Sequence, residues 1–348
     1  MLYKRVLKPF LFCFNPEKVH HFCVAMGQFI GNHEMTRSLV DWAYGYNGKD
    51  ISKVVDGLRY RTPVILAAGF DYNGRLTRIL PHVGFGGVEV GSVTARECQG
   101  NPTPQLQRLP NEKSIIVNKG LRNDGVDKII QRLKTTPREK DFVIGISIAR
   151  TNDKRGASTE EGVADYAYSF RKLNEEEVGD YYTINISCPN AYGSEIFIDP
   201  KLLPTLLSAL EKIPCIKPVY IKMPINLVWE KFKELIEIIK DFRIKGLVIG
   251  NLNKDYGILD EQNRPKKYCG GLSGLPCRDL STQLIQRVRE HYKNRFTIFG
   301  VGGIASPIDA ANKFEAGADL LQLITGMIYE GPSLIKRICA SISRPPKH

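Results

Sequence analysis

Eight short β-type runs, each stopping at glycine or a small polar residue, constrain this chain more than any other feature of its sequence. They are 63–66 before Ala67-Ala68-Gly69, 87–90 before Gly91-Ser92, 142–146 before Ser147, 181–184 before Asn185, 219–221 before Lys222, 247–249 before Gly250-Asn251, 297–299 before Gly300-Val301-Gly302-Gly303, and 320–323 before Ile324-Thr325-Gly326. Between most of them lie segments with apolar residues at helical spacing, such as 202–213, 229–242, 282–291 and 308–316. Alternation of this kind builds parallel βα units. The runs are near-continuously apolar, so helices should cover them on both faces. Eight such units predict an α/β fold of the (β/α)8 TIM-barrel type. A doubly wound open sheet has to leave two of the eight without a place.

That architecture gives the strand ends a meaning, because barrels of this kind place their active sites where the carboxyl ends of the strands meet the following loops. Ser92, Ser147, Asn185, Cys188, Lys222, Asn251 and Thr325 should converge on one mouth. The 348 residues exceed the roughly 250 of a typical barrel. The excess lies mainly in residues 1–45 and in loops 192–203 and 252–268. A small N-terminal helical extension, 1–45, followed by a barrel domain, 46–348, is the expected division.

Hydrophobic residues make up 43% and charged residues 25% of the chain, an ordinary globular balance that excludes disordered and fibrous classes. No run approaches the roughly 20 apolar residues that span a bilayer. The apolar stretch 9–14 is followed by Asn15-Pro16-Glu17-Lys18 with no small-residue cleavage site, so it is not read as a secretory signal. The eight cysteines form no CxxC pair and no metal spacing; reduced thiols in a cytoplasmic protein, with no metal site, are expected. The net charge of +12 has a local focus, since Lys4, Arg5, Lys8, Lys18, His20 and His21 are interleaved with apolar residues. Such a segment suits an anionic membrane surface. No nucleic-acid motif accompanies the charge.

Three features carry the chemistry. Asn185-Ile186-Ser187-Cys188-Pro189-Asn190 ends a strand with two amides flanking a thiol. The glycine-rich stretches 270–274, 300–303 and 325–326 offer backbone N–H groups with no Cβ in the way, the last two directly after the seventh and eighth strands, where barrels build phosphate sites. Lys222 ends a barrel strand, where an inward ammonium without an anionic partner is costly. A phosphate together with a fixed ammonium points to flavin mononucleotide (FMN), whose ring gains negative charge when it accepts hydride.

These residues carry a resemblance that covers almost the whole chain. Residues 15–22, 66–71, 84–86, 89–94, 108–109, 185–190, 270–274, 300–304 and 331–332 together resemble the quinone-dependent, membrane-associated class of the dihydroorotate dehydrogenase family. The resemblance implies oxidation of dihydroorotate to orotate in pyrimidine synthesis, on the cytoplasmic face of the cell membrane, with electrons passed to a membrane quinone. It implies that Cys188 removes the C5 proton while hydride passes from C6 to the flavin. Asn185, Asn190 and Asn251 match the amides that hold substrate, and Tyr72, Val117 and Leu121 fall at substrate-side positions. Ser92, Ser147, Asn185, Lys222 and Gly250 match the flavin lining, with Ala68, Gly69, Gly274, Gly303, Thr325 and Gly326 giving backbone contacts. His20 and Arg108 match the quinone tunnel.

Several positions depart from the family pattern. Cys188 stands where the quinone class usually has Ser, and the thiol is the easier base. Tyr72 replaces a lysine close to substrate and flavin, and Val117 replaces a substrate-binding Asn. Asn118, next door, should point elsewhere. Ile324 replaces a tunnel Tyr, and the loop 191–195 differs. These departures leave room for an FMN-dependent ene-type reductase or dehydrogenase acting on another cyclic substrate. A third reading, a non-catalytic relic that binds membrane or a partner through residues 1–45, conflicts with the retained Cys188, Lys222 and three Asn.

Overall fold

The computed structural model describes residues 3–155, 158–192, 195–267 and 269–343. Gly193 and Ser194 of the divergent loop lie outside them. A short hairpin opens the barrel region, β1 (Lys53–Val55) with β2 (Leu58–Tyr60). The barrel strands are β3 (Val64–Leu66), β4 (Gly87–Val93), β7 (Val143–Ile148), β8 (Tyr181–Asn185), β9 (Val219–Met223), β10 (Gly246–Ile249), β12 (Thr297–Val301) and β13 (Leu320–Leu323). Each pairs in parallel with the next in that order, and β13 pairs with β3, which closes the barrel.

Several strands run one to three residues beyond their sequence-based ends. Ser92, Ser147 and Lys222 therefore lie within strands, not after them, because neighbours continue the ladder as far as the Val93–Ile148 and Ile249–Met223 pairs. Helices between the strands, including α4 (Val126–Thr135), α5 (Thr159–Glu175), α6 (Leu203–Glu211), α7 (Trp229–Ile239), α8 (Arg278–Tyr292) and α9 (Pro307–Glu315), bury their apolar faces against the sheet.

A second apolar cluster fills the barrel interior below the mouth, where Tyr181, Tyr220 and Phe299 meet with ring centroids 4.8–5.7 Å apart. Gly145 makes room for this cluster, since a Cβ there would overlap the Tyr181 ring. Each buried aromatic contributes roughly 1.5–3 kcal/mol of apolar transfer. A packed floor of this kind leaves only the carboxyl ends of the strands open for a site.

The mouth carries a sheet that the sequence reading lacks. β5 (Leu106–Leu109), β6 (Ser114–Val117) and β11 (Gly271–Gly274) form an antiparallel sheet in the order β11-β6-β5. The glycine stretch 270–274, expected as a phosphate loop, is thus mostly a strand. One of its glycines serves close packing, since a Cβ at Gly271 would overlap Leu252. Arg108 lies on β5.

The front end is helical, with a π-helical turn Tyr3–Leu7, then α1 (Lys8–Phe12), α2 (Pro16–Asn32) and α3 (Glu34–Tyr44). Asn15 caps α2 by accepting from the Glu17 and Lys18 N–H groups at 2.9 and 3.1 Å, and Pro16 suits the first helical position. Gly27 and Gly31 let α2 approach Leu76 and Ile79 closely. Tyr3 donates to the Ile328 carbonyl at 2.6 Å and Glu17 accepts from the Gln105 N–H at 2.6 Å, so the start of the segment and the first turn of α2 are tied to the barrel side. No helix among the described residues is long and apolar enough to cross a membrane.

Candidate active site

A cavity of about 490 Å³ extends from the front helices to the carboxyl ends of the barrel strands. The sequence-predicted residues His20, Ala68, Gly69, Tyr72, Ser92, Arg108, Val117, Leu121, Asn185, Cys188, Asn190, Lys222, Gly250, Asn251, Gly274, Gly303, Thr325 and Gly326 all stand on its wall. Ser147 does not. Its side chain is fully buried one layer behind, where its Oγ lies 2.8 Å from Ser92 Oγ. Ser147 therefore acts on the cavity only through Ser92.

The amides are fixed by one another and by their strands. Asn185 Nδ2 donates to Ser92 Oγ at 2.8 Å, and the Tyr166 hydroxyl donates to the Asn185 carbonyl at 2.6 Å. Asn251 Nδ2 donates to Ser187 Oγ at 2.8 Å and reaches Asn185 Oδ1 at 3.3 Å, while Ser187 Oγ donates to the Lys222 carbonyl at 2.8 Å. Asn190 Nδ2 donates to the Val117 carbonyl at 2.7 Å. The ends of β4, β8, β9 and β10 are thereby held in one network before any ligand arrives, and Asn190 is tied separately to the end of β6. Asn118 points away, accepting from Asn101 Nδ2 at 2.8 Å.

Cys188 opens into the cavity between Asn185 and Asn190, and burial pushes its thiol up to about 11. The Asn190 N–H and the charges of Lys222 and Arg150 pull the other way, Glu195 with the burial. At rest Cys188 is a thiol. Lys222 is 5% exposed, and no described residue accepts a hydrogen bond from its ammonium. Burial lowers its pKa, with Glu89 and Cys188 opposing the shift. Glu89 itself is held at 2.9 Å by Thr183 and at 2.8 Å by Gln322 inside the barrel. A buried cation without a hydrogen-bonding partner calls for an acceptor from a ligand.

The glycines at the ends of β12 and β13 form a cradle that a side chain would fill. Gly302 and Gly303 have φ of +103° and +72°, and a Cβ at Gly303 would overlap the Arg278 backbone. At Gly326 it would overlap the Ile304 carbonyl. Ser273 Oγ and Thr325 Oγ1 lie 2.9 Å apart beside them. A phosphorylated cofactor whose ring needs a nearby cation fits these residues.

On the front side, Arg108 donates to the carbonyls of Phe12 and Phe14 at 3.3 and 2.8 Å and lies over the Phe12 ring. His20 Nε2 is 2.9 Å from the Phe70 carbonyl, and burial, with the Lys119 charge adding to it, pushes its pKa down to about 3. His20 is therefore a neutral imidazole at physiological pH. Three basic residues of the cavity wall escaped the sequence reading: Lys113, Lys119 and Arg122. Their signal, three basic residues near β6 and its following loop, is indistinguishable from solvated charge until that segment is placed under the front helices. Among the described residues no cluster of three His, Cys, Asp or Glu side chains is placed to hold a metal, and all eight cysteines are free thiols.

Fold and site together define an oxidoreductase of the (β/α)8 class. The profile of the dihydroorotate dehydrogenase family matches residues 51–345. The chain is 36% identical to a dihydroorotate dehydrogenase (quinone) of Christiangramia forsetii, covering 97% of each, and 36% identical to one of Salinispora arenicola, covering 99% of this chain and 100% of the relative. A crystal structure of DHODH from Eimeria tenella in complex with ferulenol superposes with a TM-score of 0.75 at 25% identity, covering 89% of this chain and 90% of that one. This chain belongs to the dihydroorotate dehydrogenase family.

Proposed function

We propose that this protein oxidises dihydroorotate to orotate with FMN as cofactor and passes the electrons to a membrane quinone. The observation that carries this reading is the placement of the Cys188 thiol, three Asn side chains and the buried Lys222 ammonium on one cavity wall that also holds the glycine cradle. FMN, when bound, supplies the two-electron acceptor for the C6 hydride. Gly303, Gly326, Thr325, Ala68 and Gly69 would hold it, and Lys222 would meet the negative charge that reduction adds. Asn185, Asn190 and Asn251 can both donate and accept, which suits the ring amides and carboxylate of the substrate.

Cys188 takes the C5 proton. For that it must first lose its own, and Lys222 together with the Asn190 N–H favours the thiolate. Retention of Cys188, Lys222 and the Asn network favours dihydroorotate over another cyclic substrate. Anaerobic addition of dihydroorotate to the purified protein tests this, with bleaching of the flavin as the expected result. Yellow protein that does not bleach means a different substrate, and colourless protein means no flavin enzyme at all.

The front helices support peripheral membrane attachment, at the cytoplasmic face. Phe10, Phe22, Phe29, Met35, Leu39 and Trp42 expose 57–87% of their area on α1, α2 and α3, and Arg5 and Lys18 are exposed on the same N-terminal segment. Apolar groups rimmed by cations suit an anionic lipid interface. The cavity passes between these helices and the barrel, bounded by Leu11, Phe12, Val19 and Cys23. A quinone would have an apolar path to the flavin there, past His20 and Arg108.

A further inference from the structure

Tyr72 stands on the cavity wall at a position where the family resemblance implies a lysine, and a cation occupies the space above its ring. The Lys119 ammonium sits 4.8 Å from the centre of the Tyr72 ring and 3.2 Å from His20 Nδ1. The Phe70 carbonyl can only accept, so His20 Nε2 carries the hydrogen and Nδ1 accepts from Lys119. A neutral imidazole and an aromatic face orient an ammonium without neutralising it.

No described carboxylate pairs with Lys119, which is 9% exposed. The Glu17 carboxylate pulls on it from a distance, but Glu17 accepts from the Gln105 N–H. Burial and the neighbouring Arg122 push its pKa down to about 8. A charge kept at such cost, on a cavity wall that among the described residues contains no carboxylate, requires an anion from outside the protein.

The backbone that carries Lys119 is anchored beside the candidate substrate amides. Two residues earlier the Val117 carbonyl takes the Asn190 amide, and Asn101, which donates to the Asn190 carbonyl at 2.9 Å, donates its own N–H to the Lys119 carbonyl at 3.2 Å. Lys119 is thus tied through two contacts to the amide that follows Cys188.

We propose that Lys119 is the residue that binds the substrate's carboxylate in this protein, entering from the segment after β6 and seated on Tyr72 and His20 in place of a lysine at position 72. The inference rests on dihydroorotate being the substrate. Charge-assisted hydrogen bonds are about twice as strong as neutral ones, so losing one should weaken binding about ten- to hundredfold.

Titration of the flavin-loaded protein with orotate and with uracil, the same ring without its carboxylate, tests it. Lys119→Met should lose orotate affinity by that factor, bind uracil as the wild type does, and keep its flavin. Adding Tyr72→Lys to Lys119→Met should recover at least part of the orotate affinity. Should Lys119→Met not accumulate, Lys119→Gln, which can still donate to His20, gives the same comparison. Equal orotate affinity in variant and wild type overturns the proposal alone, as does equal loss of orotate and uracil. Loss of flavin would assign the ammonium to the cofactor and also overturn it. A wild type that neither binds orotate nor bleaches with dihydroorotate overturns the substrate reading, and this proposal with it.

Discussion

The thiol at position 188 makes a prediction that can be worked through in numbers. Burial raises Cys188 to about 11. At pH 7 the thiolate is then roughly one part in 10⁴, since each unit between pH and pKa is a factor of ten. If the thiolate takes the C5 proton, the rate of flavin reduction should climb about tenfold per pH unit from 7 to 9, because a raised pKa withholds the base until the pH approaches it. Lys119, at about 8, loses its charge in the same range and would weaken substrate binding. Saturating dihydroorotate keeps that loss out of the rate constant. The assay is anaerobic stopped-flow bleaching of the bound flavin. Cys188→Ala should retain flavin and slow bleaching at least about 10²-fold, the lower end for general base catalysis. Cys188→Ser should be slower than wild type at pH 7 and gain with pH, because a hydroxyl ionises far above a thiol. A wild-type rate that does not change between pH 7 and 9, or an Ala variant that bleaches at the wild-type rate, would remove Cys188 as the base.

Lys222→Ala should lower the reduction potential of the flavin and loosen its binding, since a buried cation with no hydrogen-bonding partner among the described residues disappears; potentiometry showing an unchanged or raised potential refutes that placement. Replacing Phe10, Phe29 and Trp42 together by Ser should abolish binding to anionic liposomes and reduction of a long-chain quinone, while bleaching by dihydroorotate stays within about twofold of wild type. Each of these side chains is 59–78% exposed, and burying one in lipid is worth roughly 1.5–3 kcal/mol, so three decide the attachment. Undiminished liposome binding would place the membrane contact elsewhere. Point substitutions are the cleaner test than deletion of residues 1–40, because Glu17 and His20 also hold Gln105 and Phe70 on the barrel side.

The barrel was legible because its signal is repetitive and local. Each strand is a run of buried apolar residues ending in glycine or a small polar group, and each helix carries a one-sided apolar stripe, as α7 shows by burying Phe232, Leu235, Ile236 and Ile239. The sheet over the mouth was not legible for the opposite reason. β11 is Gly-Leu-Ser-Gly, which has no strand propensity, and it is a strand only because Ser114–Val117 lies beside it across more than 150 residues of sequence. Gly271 there answers to Leu252, whereas Gly274, at φ +88°, stands on the cavity wall. At Gly303, where φ is +72° and the Arg278 backbone leaves no room, the same residue type does form the cradle. Composition cannot tell these two uses of glycine apart; the neighbour across the gap can.

Substrate-side electrostatics show a further limit of position-by-position reading. Tyr72 taken alone is a lost cation and Val117 a lost amide, which together point toward a changed substrate. In space the Tyr72 ring is the seat of Lys119, and the Val117 carbonyl is the acceptor that aims Asn190. On the proposal above, the carboxylate-binding charge lies 47 positions along the chain from residue 72 and on the same cavity wall. A lysine added at 72 in the wild type would stand against the ammonium already there, and like charges a few ångströms apart disfavour one another. The two positions are therefore alternatives. Tyr72→Lys added to Lys119→Met should recover at least part of the orotate affinity that Lys119→Met alone loses, and the double variant complements the single one in locating the carboxylate.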